Sequence, residues 1–195
     1  MRALDTRQVT LDMPQPHEFR MNLSLTMSNQ PPMLAAARDK SGRWQVPIHF
    51  VDTGVPHAIC FADSEAEISA REHERPDWFS EFCGELRWHA AFQPRGTNAN
   101  LVSLLAARAG EQPALKVRTY ERGVEGETMA CGTGATAAAL IAARIHRLRS
   151  PVRVVAQSGD ALEVCWEESA SAMKNVTLRG PATFVFDGSI THFPF

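Results

Sequence analysis

An α+β layout is predicted for this chain, with many short strands around a single apolar helix. Three observations point there. Short runs that are β-branched, or that alternate apolar with polar residues, recur from residue 9 to residue 186 and are parted by Pro, Gly and Asn signals. One segment, 134–148, is small and apolar over its first three turns. It has no polar face, which marks a helix wrapped by other structure. No internal repeat is visible, so the chain holds one such unit.

Taken in order, residues 9–13 alternate and form a strand that Pro14 and Pro16 end. Residues 23–27 form a second short strand. Asn29, Gln30, Pro31 and Pro32 break the chain, and 35–42 is a loop or hairpin tip. Residues 44–51 are apolar and β-branched enough for a strand despite Pro47. Asp52, Thr53 and Gly54 make a turn, and 57–62 is the next strand. Residues 63–71 suit a short helix or a loop. A clearer helix runs from Pro76 and Asp77 through Trp88, with Phe79, Phe82, Leu86 and His89 on its core face. Residues 93–96 are a loop, 100–105 a strand, 106–111 a turn, and 115–120 an alternating strand. After the apolar helix come strands at 152–156, 162–166, 175–179 and 183–186, with Ser158, Gly159 and Asp160 as a hairpin turn. Arg144, His146, Arg147 and Arg149 gather at the carboxy end of the apolar helix, where positive charge suits the dipole.

The 195 residues allow one large domain or one and a half small ones, and 44% hydrophobic content supplies a real core. A net charge of −2 gives no general attraction for nucleic acid, and no basic cluster interleaves with aromatics. No run approaches the roughly 20 apolar residues of a membrane span. The first six residues lack the apolar region of a signal peptide, so a cytoplasmic protein is expected. The cysteines are Cys60, Cys83, Cys131 and Cys165. They lack the paired short spacing of a zinc site, and in a reducing compartment they are free thiols. Cys60, Cys83 and Cys165 sit among apolar residues and are expected to be buried small side chains.

Cys131 differs from these three. A charged stretch (Glu121, Arg122, Gly123, Glu127, Thr128) leads into Ala130, Cys131, Gly132, Thr133 and Gly134, and then into the apolar helix. A cysteine at a helix start faces unpaired backbone N–H groups and the positive end of the dipole, a setting that lowers a thiol pKa. The same N–H groups hold a carboxylate, and the two glycines let the backbone approach a ligand closely. Taken singly, each residue also has a structural reading. Cys131 fits a small core position, Asn98 a turn, His57 a hydrogen-bonded strand start, and Glu121 with Arg122 an exposed ion pair.

The Glu-Arg-Gly, Glu-Thr and Ala-Cys-Gly-Thr-Gly-Ala series resembles the second cysteine motif of the diaminopimelate epimerase family. Further segments agree in order along nearly the whole chain. Residues 8–13 are similar to a family strand, 52–57 to its Gly-Asn-Pro-His segment, 96–101 to its Gly-Thr-Asn segment, and 179–188 to its last strands. The resemblance implies a mostly antiparallel sheet curled around a helix, in one of two pseudo-symmetric domains. It also implies cofactor-independent epimerisation of L,L- to meso-diaminopimelate, in lysine and peptidoglycan-precursor biosynthesis. Two cysteines on opposite faces of the α-carbon would act as acid and base. Carried over by position, Cys131, His57 and Glu121 are the catalytic candidates. Asn98 and Arg122 would hold the distal ammonium and carboxylate, and the amides of Gly132, Thr133 and Gly134 the α-carboxylate. No cofactor and no metal are implied.

The family's other cysteine, in its Asn-Gly-rich turn, has no match here. The expectation is therefore a carboxy-terminal portion, with residues 1–30 as entry strands and 31–195 as the domain proper. The opposite half would come from a missing amino-terminal part, a separate chain, or a second copy that brings Cys131 to face Cys131. Val55 stands where many members have a substrate-contacting asparagine, and the 123–127 loop is one residue longer than the commoner form. An inactive amino-acid-binding domain and a proline racemase-like enzyme are the alternatives, and the Glu121–Arg122 pair speaks against the latter.

Overall fold

The computed structural model describes residues 6–34, 36–107, 109–169 and 172–189, and among them eleven strands build one open sheet. The chain opens with β1 (Thr6–Asp12), β2 (His17–Met27), β3 (Ala37–Arg38), β4 (Trp44–Asp52) and β5 (Pro56–Phe61). Two helices, α1 (Glu65–Glu74) and α2 (Trp78–Arg87), and a 3-10 turn at Ala90–Phe92 follow. Then come β6 (Asn98–Leu104), β7 (Leu115–Glu121), β8 (Gly126–Thr128) and α3 (Gly132–His146). The remaining strands are β9 (Val152–Val155), β10 (Ala161–Ser169) and β11 (Ala172–Thr183). The spatial order is β1-β11-β10-β9-β7-β6-β5-β4-β2, with β3 on β4 and β8 on β7. All pairs are antiparallel except β5 with β6 and β7 with β9, so the predicted α+β class with a mostly antiparallel sheet holds.

The sheet wraps α3, which packs against β4, β5, β6, β7, β9, β10 and β11. Ala135 and Ala137 to Ala143 are buried there with Leu140 and Ile141, among Val102, Val117, Val154 and Leu178. Small side chains suit this position, because seven strands close on the helix from several sides. The opposite face of the central strands packs on α2 through Ile48, Phe50, Ala58, Cys60 and Leu101. Period-2 alternation divides the two faces: Ala99 and Leu101 face α2, while Val102 faces α3. None of the described helices is long and apolar enough to cross a membrane.

Several elements differ from the sequence expectation. β2 begins at His17 rather than 23, and its pairing with β4 shifts register on either side of Arg20. Glu18 and Asn22 sit at φ of 52° and 55° in this segment. Such bulges break the two-residue alternation, which hides the first half of the strand from pattern reading. The 63–71 segment is a helix, capped by the Ser64 hydroxyl accepting from Glu67 N at 3.1 Å. His89 lies beyond the end of α2 and is half-buried, so the core face of that helix ends at Leu86.

Part of the 123–127 loop pairs back as β8. The expected strands at 175–179 and 183–186 are one strand, β11, and residues 184–186 lie outside it with exposed side chains. Pro181 is tolerated because β10 pairs only as far as Arg179, leaving β1 as the single neighbour. Cys165 is half-buried rather than buried. Ala35 of the expected hairpin tip and Arg108 of the 106–111 turn lie outside the described residues. Arg144 lays its guanidinium 3.6 Å over the Phe19 ring, so it also packs β2 onto α3.

Candidate active site at the start of the central helix

β4, β5, β6 and β7 all reach the same rim of the sheet, at Asp52, Pro56, Asn98 and Glu121. The amino end of α3 arrives at this rim. Cys131 is its N-cap residue, in extended conformation, and its carbonyl accepts from Ala135 N at 2.9 Å. The helix therefore starts two residues earlier than the apolar pattern suggests. Gly132, Thr133 and Gly134 occupy its first turn, where backbone N–H groups have no intrahelical acceptor. Thr53, wholly buried, donates its hydroxyl to the Thr133 carbonyl at 3.1 Å and ties the 52–57 turn to the helix start.

Gly134 is required by close approach. A Cβ there would lie 2.6 Å from Asn100 Oδ1, 3.1 Å from Thr119 Oγ1 and 3.3 Å from the Cys131 sulfur. Two of those neighbours, Asn100 and Thr119, belong to one network. Thr119 Oγ1 donates to Asn100 Oδ1 at 2.9 Å, and Asn100 Nδ2 donates to the Ala58 carbonyl at 3.0 Å. The same nitrogen lies 3.1 Å from His57 Nδ1. With the Asn100 oxygen taken by Thr119, the amide donates to Nδ1, and the ring proton sits on Nε2. His57 is fully buried and its Nε2 meets no acceptor among the described residues. Burial pushes its pKa down to about 3, and the Arg122 charge adds to this while the Asn100 hydrogen bond partly opposes it. The imidazole is neutral at physiological pH.

Cys131 departs from its expected thiol chemistry. Burial raises its pKa, and the nearby Glu121 carboxylate raises it further. The Thr133 hydroxyl, 3.5 Å from the sulfur, and the backbone amides of Gly134 and Thr133 pull the other way but do not prevail. The helix start holds a thiol rather than a thiolate.

Asn98 is buried, with its oxygen accepting from Arg122 N at 2.7 Å and its amide donating to the Pro56 carbonyl at 3.1 Å. It pins the end of β7 to the start of β5. Glu121 and Arg122 form no ion pair with each other among the described contacts, and Arg122 instead lines an open cleft of about 560 Å³. Arg20, Arg95, Asp52, Gly54 and Pro56 line it too, together with Phe50 and Phe92. Of the predicted site residues only Arg122 lies on this cleft. Cys131, His57, Glu121 and the first turn of α3 gather at the same rim, on the side facing the helix. Among the described residues no group of three or more His, Cys, Asp or Glu side chains is placed to hold a metal ion.

Sequence reasoning missed Asn100, Thr119, Thr53 and Arg20. A polar residue in register with Asn98 on a buried strand was the available signal for Asn100. For the other three the partners come from other elements of the fold, and no local pattern marks them.

The fold is one that racemases and epimerases use. A probable proline racemase from Agrobacterium radiobacter K84 matches 96% of this chain and 54% of its own length, at 14% identity and a TM-score of 0.55. A hydroxyproline epimerase from Agrobacterium vitis matches 91% and 51%, at 14% identity and a TM-score of 0.56. Within that fold, the family model for diaminopimelate epimerase matches residues 49–185. The diaminopimelate epimerase of Chlorobaculum tepidum is 40% identical over 153 residues, which are 78% of this chain and 52% of that protein. That of Aquifex aeolicus is 36% identical over 143 residues, 73% and 45%. The chain belongs to the diaminopimelate epimerase family. It spans about half the length of the curated relatives it matches.

Proposed function

We propose that this chain supplies one face of a cofactor-independent epimerase site that converts L,L- to meso-diaminopimelate, for lysine and peptidoglycan-precursor synthesis in the cytoplasm. The observation that carries the reading is Cys131 at the N-cap of α3, beside three first-turn amides and the Glu121–Arg122 strand end. Epimerisation requires a proton to leave the α-carbon on one side and another to arrive on the opposite side. Held as a thiol, Cys131 donates the arriving proton and becomes the thiolate. In the reverse direction that thiolate is the base. The amides of Gly132, Thr133 and Gly134 hold the α-carboxylate and the charge that spreads onto it as the carbanion forms.

His57, neutral and buried, keeps Asn100 in place beneath Gly134. Glu121 sets the thiol's proton affinity. Asn98 positions the backbone of Arg122, whose guanidinium pairs with the distal carboxylate. A substrate with a second charged end fits this arginine better than proline does.

The base on the other side belongs to a second body of the same fold. It comes from a further portion of the polypeptide, with residues 1–30 as the entry into the 31–195 domain, from a separate chain, or from a second copy that turns Cys131 toward Cys131 about a two-fold axis. This chain's coverage of about half of its relatives supports such a body. Solution mass at working concentration tests the last of these, since only a second copy requires a dimer of this chain.

The test is α-proton exchange on L,L-diaminopimelate, followed by NMR in D₂O under strong reductant. Exchange is expected where a second copy of the chain supplies the opposite face, and there it is lost, by roughly 10²-fold or more, in Cys131→Ala. Equal exchange in both proteins contradicts the role of Cys131. Binding without exchange leaves a half-site that awaits its opposite face, or an inactive amino-acid-binding domain.

A further inference from the structure

We propose that Arg20 determines substrate specificity, reading the distal carboxylate of the substrate together with Arg122. The inference rests on the function proposed above and adds a residue that the sequence motifs do not contain. Arg20 sits between the two register shifts of β2 and is the one residue there that stays in register, opposite Phe50. Bulges re-aim side chains and recur beside binding sites. Here they direct the Arg20 guanidinium onto an aromatic platform, 4.0 Å from the Phe50 ring centroid and 5.6 Å from that of Phe92. The two rings are themselves stacked at 5.5 Å with an interplanar angle of 14°.

A guanidinium held over an aromatic face keeps its planar fork of N–H groups, which can grip a carboxylate with two parallel bonds. Those donors are unused. No carboxylate of the described residues pairs with Arg20, and its buried Nε meets no acceptor among them. An unmatched positive charge on the wall of a cleft is complementary to an anion.

Arg20 and Arg122 line the same cleft of about 560 Å³, at the rim where the first turn of α3 also arrives. Two arginines on one cleft fit the distal carboxylate of a diamino diacid, whose α-carboxylate the function proposed above gives to the first turn of α3, which is not itself part of the cleft.

The experiment compares the affinities of L,L-diaminopimelate and L-lysine, which lacks the distal carboxylate, by calorimetry under reductant. The proteins are the wild type, Arg20→Met, Arg20→Lys and Arg122→Met, each with a thermal melt as a folding control. The wild type is expected to prefer diaminopimelate. Arg20→Met is expected to lose roughly 10- to 100-fold of that affinity and to leave lysine binding unchanged. Arg20→Lys, which keeps the charge but not the fork, falls between the two and answers for the site should the Met variant not fold. A full wild-type preference in Arg20→Met, or an equal loss for both ligands, overturns the proposal and leaves the proposed function standing. A wild type that binds neither ligand overturns both.

Discussion

Arg118 and Arg122 lie four residues apart along one stretch of chain, and the fold treats them in opposite ways. Arg118 is buried, with a bidentate contact to Glu127 at 2.7 and 2.8 Å, a second carboxylate at Glu72 2.6 Å away, and the Phe79 ring 4.0 Å below. Its charge is fully matched, and it joins α1, α2, β7 and β8. Arg122 has its backbone fixed by Asn98 and no carboxylate partner among the described contacts, and its side chain faces a cleft. A saturated buried charge is architecture, because it is expensive to remove and has nothing left to offer a ligand. A positioned, unmatched charge beside a cleft is free to meet a ligand, the role proposed above for Arg122. The same distinction separates Asn100, whose amide is used in full, from the unpartnered Nε2 of His57.

The sharpest way to break this comparison is to truncate both arginines. Arg118→Met is expected to cost about 3 kcal/mol of stability in urea melts, because it strands two partly buried carboxylates. Arg122→Met is expected to stay within about 0.5 kcal/mol of wild type and to lose binding instead. Equal destabilisation would erase the distinction.

His57 offers the next largest effect, through pH. Its folded pKa is depressed from 6.5 to about 3, so the fold holds the neutral ring. Its stabilising contribution is complete above pH 6.5 and is lost as pH falls from there toward 3, at up to about 1.4 kcal/mol per pH unit. Urea melts between pH 7 and 5 are expected to show a steeper slope in the wild type than in His57→Asn, which keeps only the smaller contributions of the other buried histidines. A common slope would place the titration elsewhere, with His49 and His146, whose pKa values burial also lowers, as the other candidates.

Gly134→Ala sharpens the comparison further. The added methyl meets Asn100 within the saturated network, at a cost of about 1–2 kcal/mol after the helix-propensity gain. Gly126→Ala, with open space around it, is expected to be close to neutral and serves as the control.

Much of the fold was legible in the residues. The alternating strands, the apolar α3 and the Cys131 motif are local patterns, and local patterns survive folding when they agree with the tertiary context. What escaped was whatever depended on a distant partner. The first half of β2 is hidden by its two bulges, and β8 is a strand only because β7 is there to pair with it. The lowered thiol pKa expected of a helix start was also wrong for Cys131, because burial and Glu121 outweigh three local donors. Arg20 carried no motif at all. Its significance comes from Phe50 and Phe92, which lie 30 and 72 residues further along.

The most direct test of the account is an NMR titration of the ¹⁵N-labelled chain with L,L-diaminopimelate. The account predicts that the Nε–H signal of Arg122 and the backbone amides of Thr133 and Gly134 move together with one dissociation constant, while the Nε–H signal of Arg118 stays in place. A titration that moves Arg118 and leaves Arg122 and the first turn of α3 unchanged would contradict it.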